Sequence, residues 1–299
     1  MSQVSSKHHY IPVFYLKAWG RPPQGKLCEF SKQYGNVVKT RWPNPDGTGY
    51  EKNLNTMSAV RPEMRDWVES SLLAGIDSPA SEACARMRSG RMDLTEREAV
   101  GWSRFVFSLL IRNPEDLDEL RSRAGKRWME VSPESEAEYQ AARDSADLPT
   151  MLEFLQMVED KGSQILAMRL LNTITHNSKV LAGFRQMIWR ILPVQGSQHE
   201  ILTSDRPLVM TNGIKSARGH LVLPIGPRLA FAMFDNVKIE KEILNFPQNE
   251  LVKQMNTMIV SRAVKYVYGT DDRQLRFVQN RMSTVADPSL FRRHLPTRA

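Results

Sequence analysis

The chain has 299 residues, of which 41% are hydrophobic and 25% are charged. This composition is ordinary for a globular protein and excludes wholesale disorder, and a fold of this length buries enough surface to need no disulfide or metal for stability. The formal net charge of +8 favours polyanionic partners, nucleic acid first, although many basic proteins bind no nucleic acid and the sequence has no run of five Lys or Arg residues.

The two cysteines, Cys28 and Cys84, lie far apart and form no CxxC pair. This pattern excludes a disulfide framework and a zinc knuckle, and it predicts two reduced core thiols. The apolar stretch from Ile11 to Trp19 is interrupted by Pro12 and Lys17 and lacks the features of a signal peptide. No stretch approaches the roughly 20 apolar residues of a membrane span. We therefore expect a cytoplasmic protein with no membrane partner.

The N-terminal part is predicted to contain short β elements around one short helix. Pro12 disfavours a helical conformation at the residue before it, and Gly35-Asn36 is typical of a hairpin turn. The predicted elements are an extended segment at Lys7–Pro12, a short helix at Val13–Trp19, hairpin strands at Lys26–Lys32 and Asn36–Thr40, and an irregular connection from Arg41 to Met57.

Helices are predicted for most of the middle of the chain. Thr95 and Glu98 form a capping box, and Pro114 lies just past the end of the same helix. The interior of this helix is apolar almost all round, which is typical of a central core helix. The predicted helices are Arg61–Leu73, Pro79–Met87, Thr95–Arg112, Glu115–Trp128, Ser135–Ala142, Thr150–Asp160 and Gln164–Thr175.

Segments rich in β-branched and aromatic residues, separated by Gly, Pro, Ser and Asn, follow the helices. The predicted elements are strands at Gln186–Val194, Glu200–Ser204, His220–Leu223 and Arg228–Phe234, then helices at Gln248–Ala263 and Arg273–Arg281. The order of elements predicts an α+β fold, with a predominantly helical middle and a small mixed sheet built from N-terminal and C-terminal strands. We expect a single domain over residues 1–287 and a flexible tail at 288–299.

The densest group of titratable and aromatic residues lies near the N-terminus, where Lys7 precedes His8, His9 and Tyr10. Adjacent residues of an extended strand face opposite sides, so the two histidines are not placed to share one metal ion. One of them is a candidate general base or single metal ligand, because an imidazole titrates near neutrality. The alternative is structural, with one histidine satisfied in the core and the other at the surface.

A second candidate group ends the predicted strand at Ser204, where Asp205 follows and Pro207 restricts the exit. A carboxylate at a strand end is aimed by a rigid element, which favours a metal ligand or a general base. The alternative is an Asx turn, in which Asp205 bonds nearby backbone and shapes the corner.

Arg112, at the end of the core helix, is a candidate clamp for a phosphate or carboxylate. It alternatively complements the negative end of its own helix. Other polar residues near apolar runs are Glu69, Lys32 and Asn53. The sequence has no P-loop, no dinucleotide-binding glycine motif, no HExxH and no GxSxG, so standard hydrolase and dehydrogenase sites are disfavoured.

The run His8–Pro12, followed by Phe14-Tyr15-Leu16, resembles the opening HHYxPxFYL signature of a bacterial family known as domain of unknown function 4238. The second half of the chain agrees with this resemblance. Thr203–Pro207 is similar to the family's TSDNP element, and Leu223–Arg228 is similar to its LPLSP element.

The resemblance spans most of the chain, and Arg112-Asn113-Pro114 and Asn256 match further positions in the expected order. Arg206 departs from the usual Asn, and Ile225-Gly226 replaces Leu-Ser. The resemblance implies a fold and no known reaction. Because motifs from both chain ends define one family, it also implies that they meet in one candidate site, formed by His8, His9, Asp205 and Arg112.

Three functions follow as hypotheses. The first is a nuclease-like phosphodiester hydrolase with a divalent metal as the associated cofactor. Its candidate catalytic residues are His8 or His9 as general base or metal ligand, Asp205 as metal ligand or orienting carboxylate, and Arg112 as phosphate clamp; its candidate substrate-binding residues are Tyr10, Lys32, Asn53 and Ser204. The second is non-catalytic binding of a nucleic acid or nucleotide. The third is a structural or protein-interaction role, with the His8–Pro12 run as a folding element.

Overall fold

A computed structural model of the chain describes residues 6–32, 37–58, 67–142, 149–211 and 218–286. Its N-terminal part contains β1 (Lys7–His9), α1 (Val13–Leu16), a 3₁₀ turn (Lys17–Trp19), β2 (Cys28–Ser31), β3 (Lys39–Arg41) and β4 (Tyr50–Lys52). The predicted short helix and the hairpin of β2 with β3 are confirmed. The predicted turn at Gly35-Asn36 lies outside the described residues. β4 was not expected, because Pro, Asn and Gly dominate the segment that surrounds it.

The middle of the chain is helical, as predicted. Its helices are α2 (Ala74–Arg88), α3 (Glu96–Ser108), α4 (Pro114–Trp128), α5 (Pro133–Ala142), α6 (Met151–Met157), α7 (Glu159–Thr175) and α8 (Ser178–Gln186), and a π-helical turn (Val68–Leu73) runs into α2. The part of the Arg61–Leu73 prediction before residue 67 lies outside the described residues.

Several helix ends differ from the predictions: α6 ends at Met157 rather than at the predicted Asp160, and α7 begins at Glu159 rather than at the predicted Gln164. The capping box of Thr95 and Glu98 is confirmed, but α3 ends at Ser108, and its last residues continue as turns to Arg112. Pro114 opens α4 at the first helical position, where its missing N–H is not needed. Pro79 lies inside α2 and does not start it, so the prediction that placed the helix start at this residue is wrong.

The last third combines strands and helices. They are β5 (Ile188–Pro193), β6 (Thr203–Ser204), β7 (Val209–Thr211), β8 (His220–Gly226), β9 (Leu229–Phe234), α9 (Val237–Leu244), α10 (Gln248–Arg262), β10 (Tyr266–Gly269) and α11 (Leu275–Arg281). Two helices and two strands were not predicted: α8, α9, β7 and β10. The side chains of Asn177 and Asn236 cap α8 and α9, and these caps are the local signal that the sequence offered.

The described strands form three antiparallel sheets. Their orders are β1-β4, β3-β2-β10-β6 and β5-β9-β8-β7. The α+β class is therefore confirmed, and so is the pairing of strands from the two chain ends, through β2 and β10. The expected single mixed sheet is in fact several antiparallel ones, because β5, β8 and β9 pair with one another and not with the N-terminal strands.

Aromatic side chains of the main core join the helical middle of the chain to its last third. Trp102 of α3 contacts Phe231 of β9 edge to face, with ring centroids 5.3 Å apart. Cys28 and Cys84 are buried and form no disulfide, as predicted. Within the described residues, no helix has the length and apolar character needed to cross a membrane. The single-domain organisation stays a prediction, and the tail from residue 288 lies outside the described residues.

Candidate functional site

The two histidines of the N-terminal motif lie on opposite sides of β1, as the strand period requires. His8 is fully buried, and its Nδ1 accepts a hydrogen bond of 2.8 Å from the backbone N–H of Asn55. An acceptor nitrogen carries no proton, so the N–H of the ring is on Nε2. His8 thereby fixes the chain that follows β4, which is the structural role considered for one of the two histidines.

His9 is partly exposed, and its Nε2 lies 3.3 Å from the carbonyl oxygen of Asp46. A carbonyl only accepts, so Nε2 donates and the neutral ring keeps a lone pair on Nδ1. Among the residues that the structure describes, no group bonds that Nδ1. Burial lowers the pKa of His9, and the Asp46 carbonyl and the charge of Glu69 oppose this shift. The ring is therefore neutral at physiological pH and able to accept a proton.

The outer side of the β1–β4 ribbon presents cations and aromatic rings beside His9. Register pairs Lys7 with Lys52 and His9 with Tyr50, and directly opposed residues share one face. The Lys7 ammonium lies 4.8 Å from the centroid of the Tyr50 ring, and the rings of His9 and Tyr50 are 5.4 Å apart. We call the surface formed by Lys7, His9, Tyr50 and Lys52 the His9 face.

Asp205 follows β6 and is buried. Its Oδ1 accepts from the N–H of Val264 at 3.0 Å, and its Oδ2 accepts from the N–H groups of Lys265 and of Tyr266, the latter at 3.0 Å. Burial raises the pKa of Asp205 to about 6, although the three N–H donors act against the rise. These bonds join the end of β6 to the loop between α10 and β10, as a corner-shaping carboxylate does.

Contacts between the N-terminal motif and the Asp205 segment bring the two chain regions together, as the resemblance implies. The Tyr15 hydroxyl lies 2.7 Å from Thr203 Oγ1, and the Trp19 indole N–H donates to the carbonyl of Ile201 at 2.9 Å. Tyr10 is buried, and burial together with the charge of Asp205 raises its pKa. The meeting point is thus a packed interior junction, and the His9 face is connected to it through Tyr10, the residue after His9.

Ser204 and Tyr10, both predicted to bind substrate, lie inside this junction. Ser204 is fully buried; its hydroxyl donates to the carbonyl of Ile259 at 3.4 Å and accepts from the N–H of Arg206 at 3.0 Å. The Ser204 hydroxyl therefore holds backbone in place, and Tyr10 packs in the main core. Their assignment as substrate-binding residues stays a prediction that requires the junction to open.

Arg112 forms a bidentate pair with Asp77 of α2, with distances of 2.9 and 3.0 Å. The Arg112 side chain is 3% exposed and that of Asp77 is 24% exposed. Arg112 Nη2 also donates to the carbonyl of His9 at 3.4 Å. The guanidinium predicted to clamp a phosphate therefore binds a carboxylate of the protein and supports the backbone of the His9 strand.

The remaining two predicted substrate-binding residues lie apart from each other. Lys32 Nζ donates to the carbonyl of Met282 at 2.6 Å, just past α11. Asn53 is exposed beside Lys52, has a φ of 57° in the left-handed region, and donates its N–H to the carbonyl of Ser6 at 2.8 Å. Of the two, Asn53 is the residue next to the His9 face.

Arg206, which stands where the resembled family usually has Asn, forms contacts with α4. Its guanidinium lies 3.3 Å from Asp116 Oδ2 and 3.5 Å from Glu115 Oε2. Asp116 is fully buried, so the arginine balances a buried carboxylate. Arg206, in place of Asn, thus connects the Asp205 corner to α4.

Two residues of the His9 face, the aromatic Tyr50 and the basic Lys52, were not predicted from the sequence. Tyr50 and Lys52 belong to β4, and their alternation with Glu51 in Tyr-Glu-Lys is a weak strand signal. Asp77, the partner of Arg112, was not predicted either.

Among the described residues, no three His, Cys, Asp or Glu side chains converge in a group suited to a metal ion, so no ligand set is assigned.

Comparison with known proteins identifies a family. The sequence model of the family described as "Protein of unknown function (DUF4238)" matches residues 7–273. The matched range begins at β1 and ends before α11. No curated protein matches the chain, and no solved structure matches it.

Proposed function

The chain belongs to the DUF4238 family, and we propose that it acts on phosphodiester bonds of a nucleic acid or nucleotide, with His9 as its acid–base residue. The position of the His9 ring carries the proposal. The ring is accessible, its Nε2 is oriented by the Asp46 carbonyl, and its Nδ1 has no partner within the described residues. A neutral imidazole in this state accepts a proton directly.

In the proposed reaction, a water molecule or a ribose hydroxyl attacks phosphorus, and its proton passes to Nδ1 of His9. The new P–O bond forms as the bond to the leaving oxygen breaks, and the leaving oxygen takes a proton from solvent. The Asp46 carbonyl keeps the ring oriented, and the negative charge of Glu69 favours the imidazolium that forms. No step in this scheme requires a metal ligand.

The other residues of the His9 face supply charge and an aromatic surface. Lys7 and Lys52 lie opposite each other in register, and lysine ammonium groups bind phosphates as point charges. Tyr50, beside His9, offers a ring on which a base of single-stranded nucleic acid stacks. The net charge of +8 supports the same class of partner.

A cleavage assay tests the proposal. Purified protein is incubated with labelled single- and double-stranded DNA and RNA, with EDTA or with magnesium, manganese or zinc, beside His9→Gln. The matched control is His176→Gln, which changes an exposed histidine remote in sequence from the His9 face. We expect cleavage by the parent and by the control, and a loss of roughly 100-fold or more in His9→Gln. Equal cleavage by His9→Gln and the parent contradicts the role of His9.

Non-catalytic binding of a nucleic acid or nucleotide is the second candidate function. The internal partners of His8, Asp205 and Arg112 favour it, because they occupy the other groups predicted to be catalytic. Under this function, salt-sensitive binding survives His9→Ala and no preparation cleaves. A structural or protein-interaction role, the third hypothesis, is supported by the same bonds and predicts neither cleavage nor binding.

A further inference from the structure

A basic cavity lies between α10 and α11, and it shares no lining residue with the His9 face. Its volume is about 350 Å³, within the range of small-molecule sites. Its lining includes Lys253, Asn256, Arg273, Gln274, Phe277 and Arg281, which are three basic side chains, two amides and an aromatic ring. Among the described residues, no carboxylate lines it.

Among the basic residues of the lining, Arg281 is the one whose guanidinium is held in place by an aromatic ring. Its guanidinium lies over the ring of Phe277, one helical turn earlier on α11, at 4.3 Å from the centroid. Within the described residues it forms no salt bridge with a carboxylate. Arginine held by an aromatic face loses little further freedom on binding and keeps its planar donors for a phosphate.

Two further cations flank Arg281 and are held by acids outside the lining. Lys253 pairs with Glu250 at 2.8 Å, and Arg273 pairs with Asp271 at 2.6 Å. Both cations are mostly exposed, with side-chain exposures of 51% and 71%, so these pairs are weak and can reorganise around an anion. The cavity therefore combines one oriented arginine with two adjustable cations.

The floor of the cavity is rigid and polar. Asn256 is 1% exposed; its Oδ1 accepts from the N–H of Leu202 at 2.9 Å, and its Nδ2 donates to the carbonyl of Glu200 at 2.9 Å and to Gln274 Oε1 at 3.2 Å. Gln274 Nε2 donates to the same Glu200 carbonyl at 3.0 Å. These bonds join α10 and the start of α11 to the segment before β6. They fix the relative position of the two helices that carry the basic side chains.

We propose that this cavity binds the terminal phosphate of a nucleotide. Arg281, Lys253 and Arg273 contact the phosphate oxygens, and the apolar edge of Phe277 contacts the nucleoside. A free nucleotide and the 5′-phosphorylated end of an oligonucleotide present the same chemistry. The volume is within the range of sites for small molecules such as a nucleotide.

The test is equilibrium binding by calorimetry. The parent protein is titrated with inorganic phosphate, AMP, ATP, adenosine, and a dinucleotide with or without a 5′-phosphate. Variants Arg281→Gln and Lys253→Gln are compared with Arg276→Gln, an exposed arginine of α11 outside the lining. Circular dichroism checks that each variant is folded.

We expect saturable binding of phosphate-bearing ligands, with adenosine and the unphosphorylated dinucleotide at least about tenfold weaker. Arg281→Gln and Lys253→Gln weaken AMP binding about tenfold each, and Arg276→Gln changes it less than twofold. Preference for AMP over the phosphorylated dinucleotide identifies a free nucleotide as the ligand, and the reverse identifies a nucleic-acid end. The proposal is overturned if no phosphate-bearing ligand saturates the protein, if adenosine binds as tightly as AMP, or if Arg276→Gln weakens binding as much as Arg281→Gln. Cleavage at the His9 face is measured separately, so either result stands without the other.

Discussion

Arg112→Ala is expected to destabilise the protein strongly, and Asp77→Ala is expected to do nearly the same. The two side chains form a bidentate pair at 2.9 and 3.0 Å, with the arginine 3% and the aspartate 24% exposed. Removal of one partner of a buried ion pair costs 3–5 kcal/mol in general. Because Asp77 retains some contact with water, we take the lower end, about 3 kcal/mol, for either substitution.

The double variant distinguishes this structural role from a phosphate clamp. Removal of both charges leaves neither one buried alone, so the double variant loses less than the two single losses together, with a coupling free energy of about 2 kcal/mol. A clamp waiting for phosphate predicts a different result. In that case Asp77 competes with the ligand, and Asp77→Ala leaves stability nearly unchanged while it improves binding.

Urea unfolding followed by circular dichroism measures the four free energies, with the denaturant slope checked for constancy. The matched control is the pair of Arg97 with Glu82, which joins α3 to α2 and is 64% and 47% exposed. Arg97→Ala is expected to change stability by no more than about 0.5 kcal/mol. Additive losses at Arg112 and Asp77, or a loss at Arg112 no larger than at Arg97, refute the structural role.

Three other outcomes follow from the geometry. In urea titrations, His8→Ala is expected to lower the free energy of unfolding by about 3 kcal/mol, because a buried ring is lost and the Asn55 N–H loses its acceptor. His9→Ala is expected to lower it by less than about 1 kcal/mol. Equal losses contradict the assignment of one histidine to the core. Gly162→Ala lowers the midpoint of thermal unfolding, because a Cβ added at this position overlaps the Trp128 ring. Gly183→Ala, with open space around the position, raises the midpoint slightly. A rise in both variants contradicts the contact. Burial lowers the pKa of His9 from its usual 6.5, so the base form of the ring persists below pH 6.5. The acidic limb of the pH–rate profile of cleavage is therefore expected to lie below pH 6.5. An acidic limb above pH 6.5 contradicts the role of His9 as the base.

The sequence predicted long helices well and short strands poorly, for a physical reason. The capping box at Thr95 and Glu98 is a local signal, and α3 begins where it indicates. β4 and β10 are short, and their pairing with β1 and β2 depends on partners far away in the chain. Such strands are fixed by tertiary contacts rather than by local propensity.

The same distinction governs the candidate site. The alternation of a strand predicted opposite sides for His8 and His9, and the described burial confirms it. The sequence could not show that Asp77 occupies Arg112, because the two are 35 positions apart. Nor could it show that three backbone N–H groups surround Asp205, since their placement depends on the loop after α10.

The central claim is that His9 transfers a proton on a surface that binds phosphodiesters. Single-turnover cleavage of a labelled single-stranded oligonucleotide tests it most directly, with parent, His9→Gln and Lys52→Gln compared under one set of conditions. We predict that His9→Gln lowers the cleavage rate roughly 100-fold or more at unchanged affinity, whereas Lys52→Gln weakens binding and reduces its salt dependence by about one unit of slope. Cleavage by His9→Gln at the parental rate, or no cleavage by the parent, contradicts the claim.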